Sequence, residues 1–245
     1  MRPRHRWILA GFVTPLILAV THNAAAVSVA PGTPGLSGEG EFGYSQTSGN
    51  TDTSSLNTKL GFGFEQEDWR NALQLEAVNK TDSDATIAER YYGAAKSEYT
   101  LTLREYVFGS LDYEKDRFSG YAHRTNFGAG YGRRILVSTP LTLNAEVGTG
   151  YRWSQLEPGG EQDEVTLRLS AGLGWVISES AGFTQELVTV VGEEDTATRA
   201  FSALTSKIIG QFSLRLSYLL SHHSTAPPGK NKTDTETAVT LVFGF

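Results

Sequence analysis

Three consecutive side chains near the C-terminal end, His222-His223-Ser224, include the residue types used in nucleophilic catalysis. His222 and Ser224 are two apart, so in an extended chain they project to the same side, base beside nucleophile. Hydrolysis of an acyl bond would also need a group to orient the histidine and a donor for the oxyanion. Asn126 and Asn144 are of a suitable type, but nothing in the sequence brings them close. Tyr218 and Leu220 before the pair look like ordinary strand residues, and Pro227-Pro228-Gly229 after it reads as loop. The expectation is a protein that is not an enzyme, with His222 and Ser224 as its weak catalytic candidates.

Metal chemistry is no better supported. His222 and His223 would point apart in a strand, and His123 is far away in sequence. Two acidic groups, Glu157, Glu161, Asp163 and Glu164, then Glu193, Glu194 and Asp195, offer oxygens to a hard cation. They lack the spacing of a calcium loop and read as solvated loop charges. The chain has no cysteine, so neither a disulfide nor a thiolate site can form. The Gly-Ala-Gly-Tyr-Gly run at 128–132 opens no helical pattern, which a phosphate-binding loop requires. No metal and no cofactor is expected.

The remaining polar residues with a common direction are ions on one side of predicted strands: Glu41, Lys59, Glu65, Arg70, Glu76, Arg104, Glu146, Arg152, Arg168, Arg215 and Glu236. They fall there because the chain alternates. Val165, Leu167, Leu169, Ala171, Leu173 and Trp175 share one face; Thr166, Arg168, Ser170, Gly172 and Gly174 share the other. Residues 141–153 repeat the pattern. Twelve such strands are predicted, at about 38–48, 53–66, 69–80, 90–99, 103–115, 124–137, 141–154, 164–176, 181–192, 198–208, 211–222 and 233–245. The first, fourth and tenth are the least regular, which leaves ten as the alternative count.

Segments of about ten alternating residues are the signature of a transmembrane β-barrel, with the apolar face towards lipid and the polar face inward. Glycines recur on the polar face at 61, 63, 128, 130, 132, 148, 150, 172 and 174, as a narrow interior favours. Charges of both signs cannot stand bare in hydrocarbon, so they are expected to meet inside and pair. In that reading Arg70, Arg104, Arg152, Arg168 and Arg215 set the internal field, with Glu76 and Glu146 as counter-ions and Lys59 among them.

Connections are expected to alternate. Short ones lie at Gln66–Asp68, Thr100–Thr102, Ser138–Pro140, Ile177–Ser180 and Ile209–Gly210. Longer ones lie at Gly49–Asp52, Thr81–Glu89, Asp116–His123, Gln155–Asp163, Glu193–Ala197 and His223–Lys232. Short periplasmic turns and long outer loops would put both termini on the periplasmic side. Aromatic belts are expected near the short turns (Phe64, Trp69, Trp175, Phe183, Phe212, Phe243) and the long loops (Tyr44, Tyr91, Tyr113, Tyr151, Trp153, Phe201).

The N-terminus fits export. Arg2, Arg4 and Arg6 precede a short apolar stretch from Ile8 to Val20, and Ala24-Ala25-Ala26 offers a cleavage site before Val27. Residues 1–26 then form a signal peptide, 27–37 a flexible leader and 38–245 the barrel. Cleavage removes three arginines and no acid, leaving 18 basic and 27 acidic side chains, a net charge of −9. That balance argues against nucleic acid as a partner. A soluble barrel would turn the same alternation inside out and remains the structural rival.

The chain ends on an alternating strand whose last outward positions are Leu241, Phe243 and Phe245. A terminal Phe in this setting resembles the signal read by the outer-membrane barrel assembly machinery. It implies that machinery, periplasmic chaperones and membrane lipid as partners. Three stretches, GYSQTSGNTDTSSLN (43–57), LDYEKDRFSGYAHRTNFGAGYG (111–132) and YLLSHHSTAPPGKNKTDTETAVTLVFGF (218–245), together resemble the DUF481 family, also called salt-induced outer-membrane or YdiY-like proteins. The resemblance implies an outer-membrane barrel linked to salt or envelope stress, with no established activity. The expected function is structural, or a narrow pore for ions and small solutes. The His222/Ser224 spacing also resembles that of the outer-membrane phospholipase, which implies a lipid hydrolase as the alternative. A surface interaction protein acting through its outer loops is the third reading.

Overall fold

A computed structural model of the chain describes residues 21–23, 26–28, 35–48, 53–82, 85–116, 121–157, 159–226 and 231–245. Twelve strands pair in sequence order: β1 (Gly35–Ser48), β2 (Thr53–Gln66), β3 (Trp69–Asp82), β4 (Ala85–Thr100), β5 (Glu105–Asp116), β6 (Tyr121–Ser138), β7 (Leu141–Leu156), β8 (Glu161–Val176), β9 (Ala181–Val191), β10 (Thr196–Ile209), β11 (Phe212–His223) and β12 (Thr233–Gly244). Every neighbouring pair is antiparallel, and β12 pairs with β1 to close the barrel. Closure satisfies the backbone of both edge strands, which an open sheet in hydrocarbon could not do.

All twelve predicted strands are present, and their faces are sorted as the alternation requires. On β8, Val165, Leu167, Leu169 and Trp175 are exposed on the outside, while Glu164, Thr166 and Arg168 are buried inside. The same holds on β11, with Leu214 and Leu216 outside and Arg215 buried. The soluble, inside-out arrangement is therefore not the one formed.

The connections differ from expectation. β3 and β4 run on through the supposed loop at 81–89: Thr81 pairs with Thr86 and Asp82 with Ala85. Threonine and alanine there continue the ladder beyond the regular alternation, so only residues 83–84 separate the strands. Residues 49–52, 83–84, 117–120 and 227–230, parts of predicted loops, lie outside the described residues, as does the apolar stretch of the predicted signal peptide. β1 also starts at Gly35, inside the segment expected to be flexible. At the other end, two of the two-residue turns carry a residue with positive φ, Glu67 (48°) and Gly210 (56°).

Aromatic pairs mark both ends. Trp69 packs at a tilt against Tyr99 (5.0 Å) and Phe212 against Phe243 (5.2 Å) near the turns; Tyr151 meets Trp153 (4.7 Å) near the loops. Phe201 does not join the belt. Ala203 on the same side is buried and Leu204 exposed, so Phe201 falls on the inner face of β10, where its ring meets Lys59. A short ribbon, Thr21–Asn23 paired with Ala26–Ser28, approaches β9 with one strand and β2–β4 on the opposite wall with the other.

Candidate functional site

The barrel interior is a mesh of ion pairs, and its two halves differ. In the half nearest the two-residue turns, Lys96 on β4 lies between Glu98 (3.0 Å) and Glu146 on β7. Glu146 also accepts hydrogen bonds from Tyr106 on β5 (2.7 Å) and Ser170 on β8 (3.0 Å). Glu98 adds Arg134 on β6 (3.6 Å) and Arg70 on β3 (3.7 Å), and Arg70 returns to Glu65 on β2 (2.7 Å). One continuous network thus spans β2 to β8. A second spans β10 to β1: Arg215 on β11 donates to Thr205 on β10 (3.0 Å), to Glu39 on β1 (3.3 Å) and to Glu41, and Glu41 accepts from Thr240 on β12.

The glycine stripe makes room for this packing. Gly132 pairs with Tyr106 and Gly130 with Phe108 across β5 and β6. A Cβ on Gly132 would strike the Tyr106 ring, and one on Gly130 would come within 2.8 Å of Phe108. Both rings lie across the bare backbone of β6 and carry Lys96 above them, 4.9 Å from the Phe108 centroid and 5.7 Å from that of Tyr106. The Gly-Ala-Gly-Tyr-Gly run is a seat for aromatic rings.

The half away from these turns is less filled. A cavity of about 60 Å³ is lined by Glu41, Lys59, Glu76, Arg90, Arg199, Phe201 and Glu236 among others. Lys59 pairs with Glu76 (3.1 Å). Arg90 on β4 reaches Glu114 (3.2 Å), Glu76 (3.8 Å) and Glu236 on β12 (3.9 Å). From β12 to β4 is four of the twelve strand-to-strand steps, so the Arg90–Glu236 pair is a chord across the lumen.

At the rim, Arg152 donates to Glu164 (2.9 Å) and lies 3.9 Å from Asp195. Asp195, in the connection between β9 and β10, binds His223 Nδ1 (2.6 Å), the Ser224 hydroxyl (3.2 Å) and the Thr225 N–H (3.2 Å). Burial opposes ionisation of Asp195, but the hydrogen bond and charge of His223, with the Thr225 N–H, outweigh it and hold the carboxyl down at about 2.

Of the predicted lumen charges, Lys59, Arg70, Glu76, Glu146, Arg152, Arg168 and Arg215 face inward. Arg104 does not. It lies exposed in the Leu101–Arg104 turn, where the Thr102 hydroxyl accepts the N–H groups of Arg104 and Glu105. β5 starts at Glu105, two residues later than expected, and the turn leaves Arg104 in solvent. Sequence reasoning missed Lys96, Glu98, Arg134, Glu39 and Arg90; for Arg90, Lys96 and Glu98, their even spacing along one strand was the available signal.

The catalytic candidates part company. His222 Nδ1 bonds Thr233 (2.8 Å) on β12, whereas Ser224 Oγ donates to Asp195 and accepts the Thr196 N–H (2.8 Å). It is His223 that shares Asp195 with the serine. Among the described residues no group of three His, Asp or Glu is arranged to hold a metal ion.

A family model described as "Protein of unknown function, DUF481" matches residues 40–245. "Uncharacterized protein YdiY" of Escherichia coli (strain K12) is 30% identical over 203 residues, 83% of this chain and 80% of the relative. Among solved structures, the NanC porin aligns with a TM-score of 0.58 at 11% identity, over 83% of this chain and 98% of the porin. The translocator domain of the autotransporter NalP from Neisseria meningitidis aligns at 0.53 and 13% identity, over 88% and 90%. At such identities the likeness is one of fold, that of the outer-membrane barrels.

Proposed function

The chain belongs to the DUF481 family, and we propose that its barrel is an outer-membrane passage, narrow and charge-lined, for ions and small polar solutes. The observation that carries this reading is the outer-half cavity of about 60 Å³, lined by charges of both signs. At ~10–15 Å³ per water position it has room for roughly four to six waters. Below it the lumen is filled by side chains, which can rearrange, and conduction would follow the opening of their ion pairs.

The rest of the reading follows from the surface. The apolar outer face would contact lipid. Both termini would lie on the periplasmic side, and the signal peptide would be removed before Val27, cutting the Thr21–Ser28 ribbon. Leu241, Phe243 and Phe245 would serve as the assembly signal, with chaperones escorting the unfolded chain. The same proposal holds that the barrel is no enzyme: the Ser224 proton is directed to Asp195. A role under salt stress is included because a narrow passage limits solute flux.

The test is planar-bilayer conductance of the mature protein, after heat-modifiable migration has shown it folded. Small discrete steps whose ion preference changes with Arg152→Glu support the passage. A folded but silent barrel overturns it.

A further inference from the structure

Phe201 is out of place in a polar lumen. It stands on the inner face of β10 directly opposite Leu219 of β11, and Leu219 is directly opposite Glu236 of β12. Side chains so paired have their Cβ atoms ~5 Å apart on one face. With Ala238, next after Glu236 on the inner face of β12, they make an apolar shelf along one wall of the cavity. A lumen that held only water would favour polar side chains there, because a ring and a leucine facing water forgo the gain of burial.

The facing wall is ionic and two crossings tie it to the shelf. Lys59 on β2 places Nζ 5.7 Å from the Phe201 ring centroid, and Arg90 on β4 lies 3.9 Å from Glu236. Between them the cavity of about 60 Å³ has a balanced lining, Lys59, Arg90 and Arg199 against Glu41, Glu76 and Glu236. A ligand of net charge would bury that charge without compensation; one that carries both signs would not. The Arg90–Glu236 crossing gives it a place. This pair is longer than those that hold Arg90 to Glu114 (3.2 Å) and Glu76 (3.8 Å). A carboxylate taken by Arg90 and an ammonium taken by Glu236 would replace one long contact with two charge-assisted hydrogen bonds. An apolar group on the same ligand would rest on Leu219, beside Glu236, and on Phe201 beyond it.

We propose that this cavity binds a small zwitterion with an apolar group, an α-amino acid of alanine size. Room for roughly four to six waters admits a ligand of about six non-hydrogen atoms. A mostly apolar seat with a few orienting charges is the usual make-up of a small-molecule site. The site gives the passage a substrate class, and it rests on that reading only for transport, since binding can be measured without conduction.

The experiment is equilibrium dialysis of the detergent-folded mature protein against radiolabelled L-alanine, with unlabelled L-alanine, propionate and ethylamine as competitors. Saturable one-to-one binding is expected. Propionate and ethylamine, each lacking one of the two charges, should compete ~10-fold or more weakly than L-alanine. Glu236→Gln should weaken binding ~10–100-fold by removing the partner of the ammonium, whereas Lys207→Gln, exposed at the far end of β10, should leave it within ~2-fold. If Glu236→Gln fails to fold, Phe201→Ala serves in its place, with a loss of ~3–10-fold from the shortened shelf. No saturable binding, competition by propionate or ethylamine as strong as by L-alanine, or a folded cavity variant that binds as well as Lys207→Gln overturns the site. Binding in a barrel that does not conduct would refute transport alone; conduction without binding would refute the site alone.

Discussion

Lys96→Met is the sharpest perturbation of the inner half. Lys96 is 5% exposed, and Glu146 beside it 6%. At 3.0 Å and an effective dielectric of ~20, the gross Lys96–Glu98 attraction is about 5 kcal/mol, part of it offset by burying the ammonium. Stripping one partner from a buried pair costs about 3–5 kcal/mol, because the remaining charge stays behind. Glu146 keeps Tyr106 and Ser170 as donors, and Glu98 keeps Arg70 and Arg134, so the low end, about 3 kcal/mol, is expected. The assay is equilibrium urea unfolding in lipid vesicles, followed by tryptophan fluorescence. Trp69, Trp153 and Trp175 stand on the outer surface and will report loss of lipid contact. Lys96→Met combined with Glu146→Gln should recover more than half of the loss. A single-variant cost under ~1 kcal/mol, or no recovery, would refute the account of the network as mutually compensated charge.

The lipid face offers a second check: Leu169→Arg, outward on β8, should cost about 2–4 kcal/mol in vesicles, whereas a water-facing site would tolerate it within ~0.5 kcal/mol. Arg152→Glu would set three carboxylates together with Glu164 and Asp195, costing about 3 kcal/mol or more by urea unfolding and shifting the bilayer reversal potential towards cations. Asp195 gives a pH dependence. Its folded pKa lies below the ordinary ~3.9, so its contribution, ~2 kcal/mol, is present above pH ~4 and lost as pH falls towards 2. Hydrogen exchange at the Thr196 and Thr225 amides should accelerate over that window, and Asp195→Asn should abolish the acceleration.

The fold was legible because the strand period is 2. Val165 to Trp175 needed only counting to assign its outer face, and β12 to Phe245 likewise. Strand ends were not legible, since residues such as Thr81, Asp82, Ala85 and Thr86 extend a ladder without alternating apolar and polar. That is why the expected alternation of loop lengths is weak. For the lumen, alternation told which face a charge lies on but not which charge it meets. Lys59 and Glu76 are direct neighbours across β2 and β3, and that pairing follows from the register. Arg90 and Glu236 meet across four strand steps, and nothing local encodes that chord. It depends on closure and on how far each side chain reaches.

The rim shows why residue types alone mislead. Ser224, His223 and Asp195 are the three types of a hydrolytic triad, brought together by β9–β10 and β11. In a triad the histidine stands between the serine and the acid, ready to take the hydroxyl proton. Here the acid stands between: Asp195 Oδ2 binds His223 and Oδ1 accepts a hydrogen bond from the Ser224 hydroxyl. The same carboxylate accepts the Thr225 N–H, and Ser224 in turn accepts the Thr196 N–H. Each contact ties the β9–β10 connection to the end of β11, and Arg152 extends the tie to β7. The arrangement suits a clasp that holds this rim in shape. Ser224→Ala should therefore loosen the Thr196 amide in hydrogen exchange, by about 1 kcal/mol as for the loss of a capping hydroxyl, while lipid hydrolysis stays at background. Hydrolysis that depended on Ser224 would show instead that the histidine swings between the two, and the clasp would have to be abandoned.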